Sequence, residues 1–305
     1  MEILVHRRGG GLGDVLCTLP ALRGLREKFP RARITYALDP YYAPLLEGNP
    51  DMDLTLPIDA RLGRRGLRNL EKTFDRIFDL YCPAGEYERR VRWKVEKSRI
   101  ENFVEFVEAA PTSFLPFYRI KTKEANWAKR WLEAHHLNGR PLVGIQWKSA
   151  RVTKDYPFFQ EVASALLQED LRTLIFARDR IEDLPEGAAV AEDLSLREVG
   201  ALMGECSLLI GADSGLVHFA AAVETPALGL FGPTNPQTTL RFYPLADLLW
   251  RPEVGEEVGC GMPCYYASER GFRCFGVGRC MQAISPASVV KRALEMLHSV
   301  GPGRP

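Results

Sequence analysis

Short runs of β-branched and aliphatic residues alternate with stretches whose apolar positions recur every three or four residues, and the chain runs through this pattern twice. In the first series, Ile3–His6, Ile34–Leu38, Leu54–Leu56 and Arg76–Leu80 predict strands. Between the first two, Leu16, Leu19, Leu22, Leu25 and Phe29 share one stripe and predict a helix over Val15–Lys28. The second series predicts strands at Leu142–Trp147, Thr173–Phe176, Leu208–Gly211 and Ala227–Phe231. Helices over Phe158–Gln168, Leu196–Glu205 and Leu216–Val223 separate them, and a helix over Pro286–Leu297 follows. Such alternation is the mark of parallel sheets with helical crossovers, so the fold class is α/β with two Rossmann-like domains. Pro111–Arg140, ending in the turn Gly139-Arg140-Pro141, reads as a linker plus an entry helix. The boundary is therefore expected near residue 140, giving domains 1–140 and 141–305, with the helix at 286–297 able to return to the first.

Composition narrows the class. A chain of 305 residues, 46% hydrophobic and 26% charged, suits a globular protein of about two domains. No apolar run approaches the roughly 18 residues of a membrane span, and Met1–His6 lacks the layout of a signal peptide, so a cytoplasmic location is expected. The net charge of +1 conceals an imbalance: residues 1–140 carry +6 and residues 141–305 carry −5. Within 61–99, 12 basic residues face 6 acidic ones, clustered around Arg64, Arg65, Arg90 and Arg92. That segment suits an anionic partner, or else is a solvated face that confers solubility.

Two loops carry candidate chemistry, each at the carboxyl end of a predicted strand, where open α/β sheets bind ligands. The first is Arg7-Arg-Gly-Gly-Gly-Leu-Gly-Asp14, with a helix expected after Asp14. Its spacing fails the Gly-x-Gly-x-x-Gly dinucleotide fingerprint, and no Gly-Lys-Ser/Thr follows as in a P-loop. Asp39, at the end of the second strand, keeps a nicotinamide-dependent oxidoreductase open as the alternative. Asp14 has a local role open to it as a helix cap. The second loop is Gly211-Ala-Asp-Ser-Gly-Leu-Val-His218, where Ser214 and Gly215 could donate to a diphosphate lying on a helix N-terminus. The simpler reading has Asp213 or Ser214 capping the helix and His218 packing.

Cysteines cluster as Cys260-x3-Cys264-x9-Cys274-x5-Cys280. Four thiols in so short a segment could close a structural zinc or iron site, yet the spacing departs from the usual two-residue knuckle. Metal binding and free or paired cysteines both stay open.

The opening Ile-Leu-Val-x-Arg-x-Gly-x-x-Gly-Asp-Val with Leu19-Pro-Ala-Leu-Arg23 resembles the start of family-nine glycosyltransferases, the heptosyltransferase family. Asp213-Ser-Gly-Leu-Val-His218 and Gly232-Pro-Thr-Asn-Pro236 are similar to that family's Asp-Ser/Thr-Gly-x-x-His and Gly-Pro-Thr-Asp-Pro elements, and Lys154-Asp-Tyr-Pro157 to its Lys-x-Trp-Pro, with Tyr156 in place of Trp. The resemblance implies a GT-B fold, two Rossmann-like domains facing each other across a cleft, with an acceptor-binding first half and a donor-binding second. It implies Asp14 as general base and Lys154 on the donor phosphates, with Glu182, Asp213, Ser214, Gly215 and His218 holding the donor. Gly11, Gly13, Arg64, Arg65, Arg90 and Arg92 are assigned to the acceptor. The implied reaction is inverting transfer of a sugar, by default heptose from ADP-heptose, to an anionic, lipid-linked glycan at the membrane's inner face. By the same resemblance no metal cofactor is required. No nucleic-acid partner is expected. A non-catalytic carbohydrate- or nucleotide-binding relative is the remaining alternative.

Overall fold

The computed structural model describes residues 1–58, 69, 72–81, 83–91, 95–149, 152–178, 180–181, 183–257, 259–260, 264, 274 and 278–300. The chain forms two compact units, Met1–Arg119 and Ile120–Pro305.

In the first unit, β1 (Glu2–Arg7), β2 (Arg33–Leu38), β3 (Leu54–Pro57) and β4 (Arg76–Asp79) form a parallel sheet in the order β3-β2-β1-β4. The inner strands are the apolar ones: Ile3, Leu4, Val5, Ile34, Ala37 and Leu38 have no exposed surface, as expected where both sheet faces are covered. Helix α1 (Leu12–Lys28) buries Leu16, Leu19, Leu22 and Leu25. It packs on α3 (Arg99–Phe106), which packs in turn on α2 (Pro83–Val91).

The second unit carries β5 (Leu142–Gln146), β6 (Arg172–Phe176), β7 (Ala189–Ala191), β8 (Leu208–Ala212), β9 (Ala227–Phe231) and β10 (Ala246–Trp250), all parallel, in the order β10-β9-β8-β5-β6-β7. Numbered within the unit, this is the doubly wound order 3-2-1-4-5-6, and the first sheet is its 3-2-1-4 portion. The switch points therefore lie between β1 and β4 and between β5 and β8.

Helix α4 (Thr122–Ala134) belongs to the second unit, so the chain divides about twenty residues ahead of the boundary expected near 140. The reason is an ion pair that sequence periodicity does not reveal. Glu124 on α4 accepts two hydrogen bonds, at 3.1 and 2.6 Å, from Arg197 on α6 (Leu196–Gly204), and both side chains are nearly buried. Two further helices, α7 (Gly215–Ala222) and α8 (Pro286–Val300), complete the set needed below, with α5 (Phe159–Gln168) between β5 and β6. Helix α8 packs on α5 and β8, placing Val289, Ala293 and Met296 in one core with Phe159, Val162 and Ile210.

Candidate active site

Four residues of the glycine loop turn the chain from β1 into α1. Gly9 and Gly10 take φ of +71° and +93°, a region that L side chains rarely enter. A Cβ on Gly10 would also lie 2.8 Å from both Asp14 Oδ2 and Arg7 Nη2. Helix α1 begins at Leu12, earlier than the sequence pattern indicates, so Asp14 occupies its third position. Gly11 has no side chain with which to cap, and the Asp14 carboxylate does the work instead, accepting from the Gly11 N–H at 2.8 Å. The capping role is thus real.

It is not the only role. The other Asp14 oxygen receives a hydrogen bond from Arg99 Nη1 at the start of α3 and faces Arg7 Nη2 at 3.3 Å. Arg99 is gripped from behind by Glu88, a buried residue of α2, through two bonds of 2.7 and 2.9 Å. Arg7 is buried, stacks 5.3 Å from the Phe103 ring centroid and donates to Leu80 O. Arg8 turns the other way, to Asp79 Oδ2 at 3.4 Å. Two guanidinium groups thus face one carboxylate oxygen, and the arginines fix where it points. Glu88 offsets part of that positive charge.

At the second switch point, the turn Val152–Lys154 brings Lys154 Nζ to 2.6 Å from Asp213 Oδ2, just beyond β8. Burial on its own would raise the Asp213 carboxyl, but the adjacent Lys154 ammonium outweighs it and holds the group down at about 2. Thr239 Oγ1 donates to the other oxygen at 3.3 Å. Ser214 caps α7: its hydroxyl oxygen accepts from Leu216 N at 3.3 Å while its proton goes to Gln146 Oε1. The Ser214 proton is therefore committed within the protein, and the helix backbone is left as the anion-facing element of this loop. His218 Nδ1 lies 2.6 Å from the hydroxyl of buried Tyr243. Tyr156, standing where the motif has Trp, is a core anchor whose hydroxyl donates to Ile284 O at 2.8 Å.

The family model for "Glycosyltransferase family 9 (heptosyltransferase)" matches residues 86–258, more than half of the chain. The chain belongs to glycosyltransferase family 9. Membership in this enzyme family replaces the oxidoreductase and non-catalytic alternatives. The Escherichia coli lipopolysaccharide heptosyltransferase 3 is 23% identical over 79% of this chain and 83% of its own length. Among solved structures, a Veillonella parvula family 9 glycosyltransferase superposes with a TM-score of 0.75 at 22% identity, covering 97% of each chain. The Escherichia coli ADP-heptose lps heptosyltransferase II superposes with a TM-score of 0.72 at 18% identity, covering 98% of this chain and 99% of that one. The shared architecture is the GT-B class of two Rossmann-like units.

In this family 9 chain the second unit carries Lys154, Asp213, Ser214, Gly215 and His218 around the loop that follows β8, and the first unit carries Gly11, Gly13 and Asp14 around the turn from β1 into α1. Arg90 is exposed on α2. Glu182, Arg64, Arg65 and Arg92 lie outside the described residues. Arg99, Glu88, Gln146 and Tyr243 are site residues that the sequence reading misses. Gln146 carries a readable signal, a polar residue ending the otherwise apolar run Leu142–Ile145; the others carry none.

Cys260, Cys264, Cys274 and Cys280 are free thiols, and among the described residues no group of three or more His, Cys, Asp or Glu is arranged to hold a metal. Cys280 is a core side chain instead, its Sγ lying 2.8 Å from where a Cβ on Gly232 would sit. Burial pushes the Cys264 thiol up to about 12, with the three neighbouring cysteines adding to the rise.

Proposed function

We propose that the chain transfers a heptosyl group, with inversion, from ADP-heptose to a lipid-linked glycan of the lipopolysaccharide type. The observation that carries this reading is the pair of switch-point loops: one presents the Asp14 carboxylate, gripped by Arg99 and faced by Arg7, the other a lysine beside a helix N-terminus. Family membership and the names of the relatives support the donor and acceptor classes.

In this mechanism the acceptor hydroxyl oxygen attacks the anomeric carbon, and its proton passes to the Asp14 carboxylate. The bond from that carbon to the β-phosphate oxygen breaks, and ADP leaves with the electron pair. General bases contribute about 100- to 10,000-fold to such steps. Lys154 and the N-terminus of α7 meet the charge that grows on the departing diphosphate, a kind of stabilisation that is usually the largest single contribution. Asp213 orients Lys154, and Gln146 and Tyr243 orient Ser214 and His218. Gly11, Gly13 and the basic residues of 61–99 serve the acceptor, Glu182 the donor nucleoside, and the enzyme works at the inner face of the membrane. Among the described residues no helix is long and apolar enough to cross a bilayer.

Asp14→Asn tests the assignment. The amide retains the shape but cannot take the proton, so transfer should fall at least about 100-fold while ADP still raises the melting temperature as in the wild type. About 2.7 kcal/mol of stabilisation is available at a hundredfold excess of ligand over Kd, enough to read. Full transfer activity in Asp14→Asn would remove Asp14 from the reaction.

A further inference from the structure

The two strands that flank β1 end in the same short device. Asp39 follows β2, and its Oδ1 accepts the N–H of Tyr41 at 2.9 Å; Asp79 ends β4, and its Oδ1 accepts the N–H of Tyr81 at 2.9 Å. Each aspartate closes a turn that sets the backbone of a tyrosine two residues on. Because the sheet order is β3-β2-β1-β4, the two Asp-x-Tyr corners stand on either side of the glycine loop that leads to Asp14. Two strand spacings, about 10 Å, separate the strands that carry them.

Both side chains are turned outward, Tyr41 at 56% and Tyr81 at 50% relative exposure, the two highest values among the large apolar side chains described. Neither is loose. Tyr41 meets Tyr42 edge to face with ring centroids 5.0 Å apart, and the Arg8 guanidinium lies 5.6 Å from the Tyr81 ring centroid. The Tyr42 hydroxyl donates to Gly10 O at 3.4 Å, and a Cβ on Gly9 would touch Tyr81 at 3.7 Å, so both corners are continuous with the glycine loop.

An exposed aromatic ring loses free energy in water, and a pair so placed beside a proton acceptor for a hydroxyl needs a ligand with both apolar faces and polar edges. A pyranose ring has that character: its axial C–H groups form an apolar face and its hydroxyls remain at the rim. Tyrosine suits it, with a flat apolar body, a wet hydroxyl and few rotatable bonds to fix. We propose that Tyr41 and Tyr81 form a clamp on which sugar rings of the acceptor stack, presenting the reacting hydroxyl to Asp14. This rests on the assignment of the acceptor to the first unit.

The test uses the full chain with de-O-acylated, heptose-deficient lipopolysaccharide as probe. Saturation-transfer NMR should show the sugar ring protons receiving magnetisation from the wild type. Tyr41→Ala and Tyr81→Ala should each lose most of that signal and raise the acceptor KM about fivefold, with kcat and ADP affinity holding. Tyr41→Phe and Tyr81→Phe should keep the signal, because they keep the ring. Equal signals from the wild type and both alanine variants would overturn the clamp alone. Loss in the phenylalanine variants as large as in the alanine variants would overturn stacking in favour of hydroxyl contacts. A wild type that binds ADP yet gives no signal on the probe would overturn the acceptor assignment and the clamp with it.

Discussion

Lys154 and Asp213 stand 59 residues apart in the sequence and 2.6 Å apart in space. Removing one leaves a buried charge without its partner, which typically costs about 3–5 kcal/mol. Lys154→Ala is therefore expected to lower the melting temperature as well as weaken ADP binding and turnover, whereas Lys154→Met combined with Asp213→Asn should regain stability and not transfer. The pair also sets a pH window. The folded carboxyl titrates at about 2 against 3.8 for the free group, so its contribution is complete above about pH 4 and is lost as pH falls towards 2. It amounts to about 2 kcal/mol. Denaturant melts should show the stability of the wild type relative to the double variant constant from pH 7 to 4 and falling below; a difference that stays flat down to pH 2 would contradict the pairing. At this scale the sequence showed Asp14 and Lys154 through local motifs. It could not show Arg99, which reaches Asp14 across 85 residues from a basic run that reads as a surface for an anionic partner or a solvated face.

Elements with strong periodicity were legible almost to their ends, as β9 and α5 illustrate, because apolar spacing dictates which faces can be buried. Those whose boundaries depend on particular hydrogen bonds were not. Helix α1 starts before Asp14 because a carboxylate caps it from within. Strand β7 escapes because Ala189 and Ala191 have little β preference, and β10 because it is a half-buried edge strand. The loop at Ser214 depends on how closely β8 approaches β5. A Cβ on Gly211 would lie 2.9 Å from Gln146 Oε1 and 3.3 Å from Gln146 Cβ. Gly211→Ala should therefore push Gln146 off Ser214, costing about 1–3 kcal/mol of stability and weakening ADP binding measured by calorimetry. Unchanged ADP affinity would show that the Gln146–Ser214 bond does not shape the donor site.

Over the whole molecule, the surplus of positive charge in residues 1–140 was legible in the composition, but its deployment was not. Part of it has partners within the chain: Arg99 holds Asp14, and Arg76, though exposed, stacks 4.9 Å from the centroid of the Phe29 ring. What is left for a partner is tested by replacing Arg64, Arg65, Arg90 and Arg92 together with Gln. Exposed charges are screened beyond about 8 Å at physiological salt, so the wild-type acceptor KM should climb with salt while ADP affinity changes less. The quadruple variant should start with the higher KM and lose most of that salt response, and equal kinetics and equal salt response in the two proteins would make the segment a solubility feature.

In both sheets the strand made first ends up in the interior, β1 between β2 and β4, and β5 between β6 and β8. During synthesis each sheet therefore grows outward from its oldest strand. The second edge of β1 stays open until Asp79 has emerged, and that of β5 until Ala212 has. At about 5–20 residues per second these are delays of seconds, with Ile3–Val5 and Val143–Ile145 presenting unpaired, fully apolar edges to whatever else is in solution. The vulnerable moments in the life of this enzyme are thus set by topology and fall before it has a site at all.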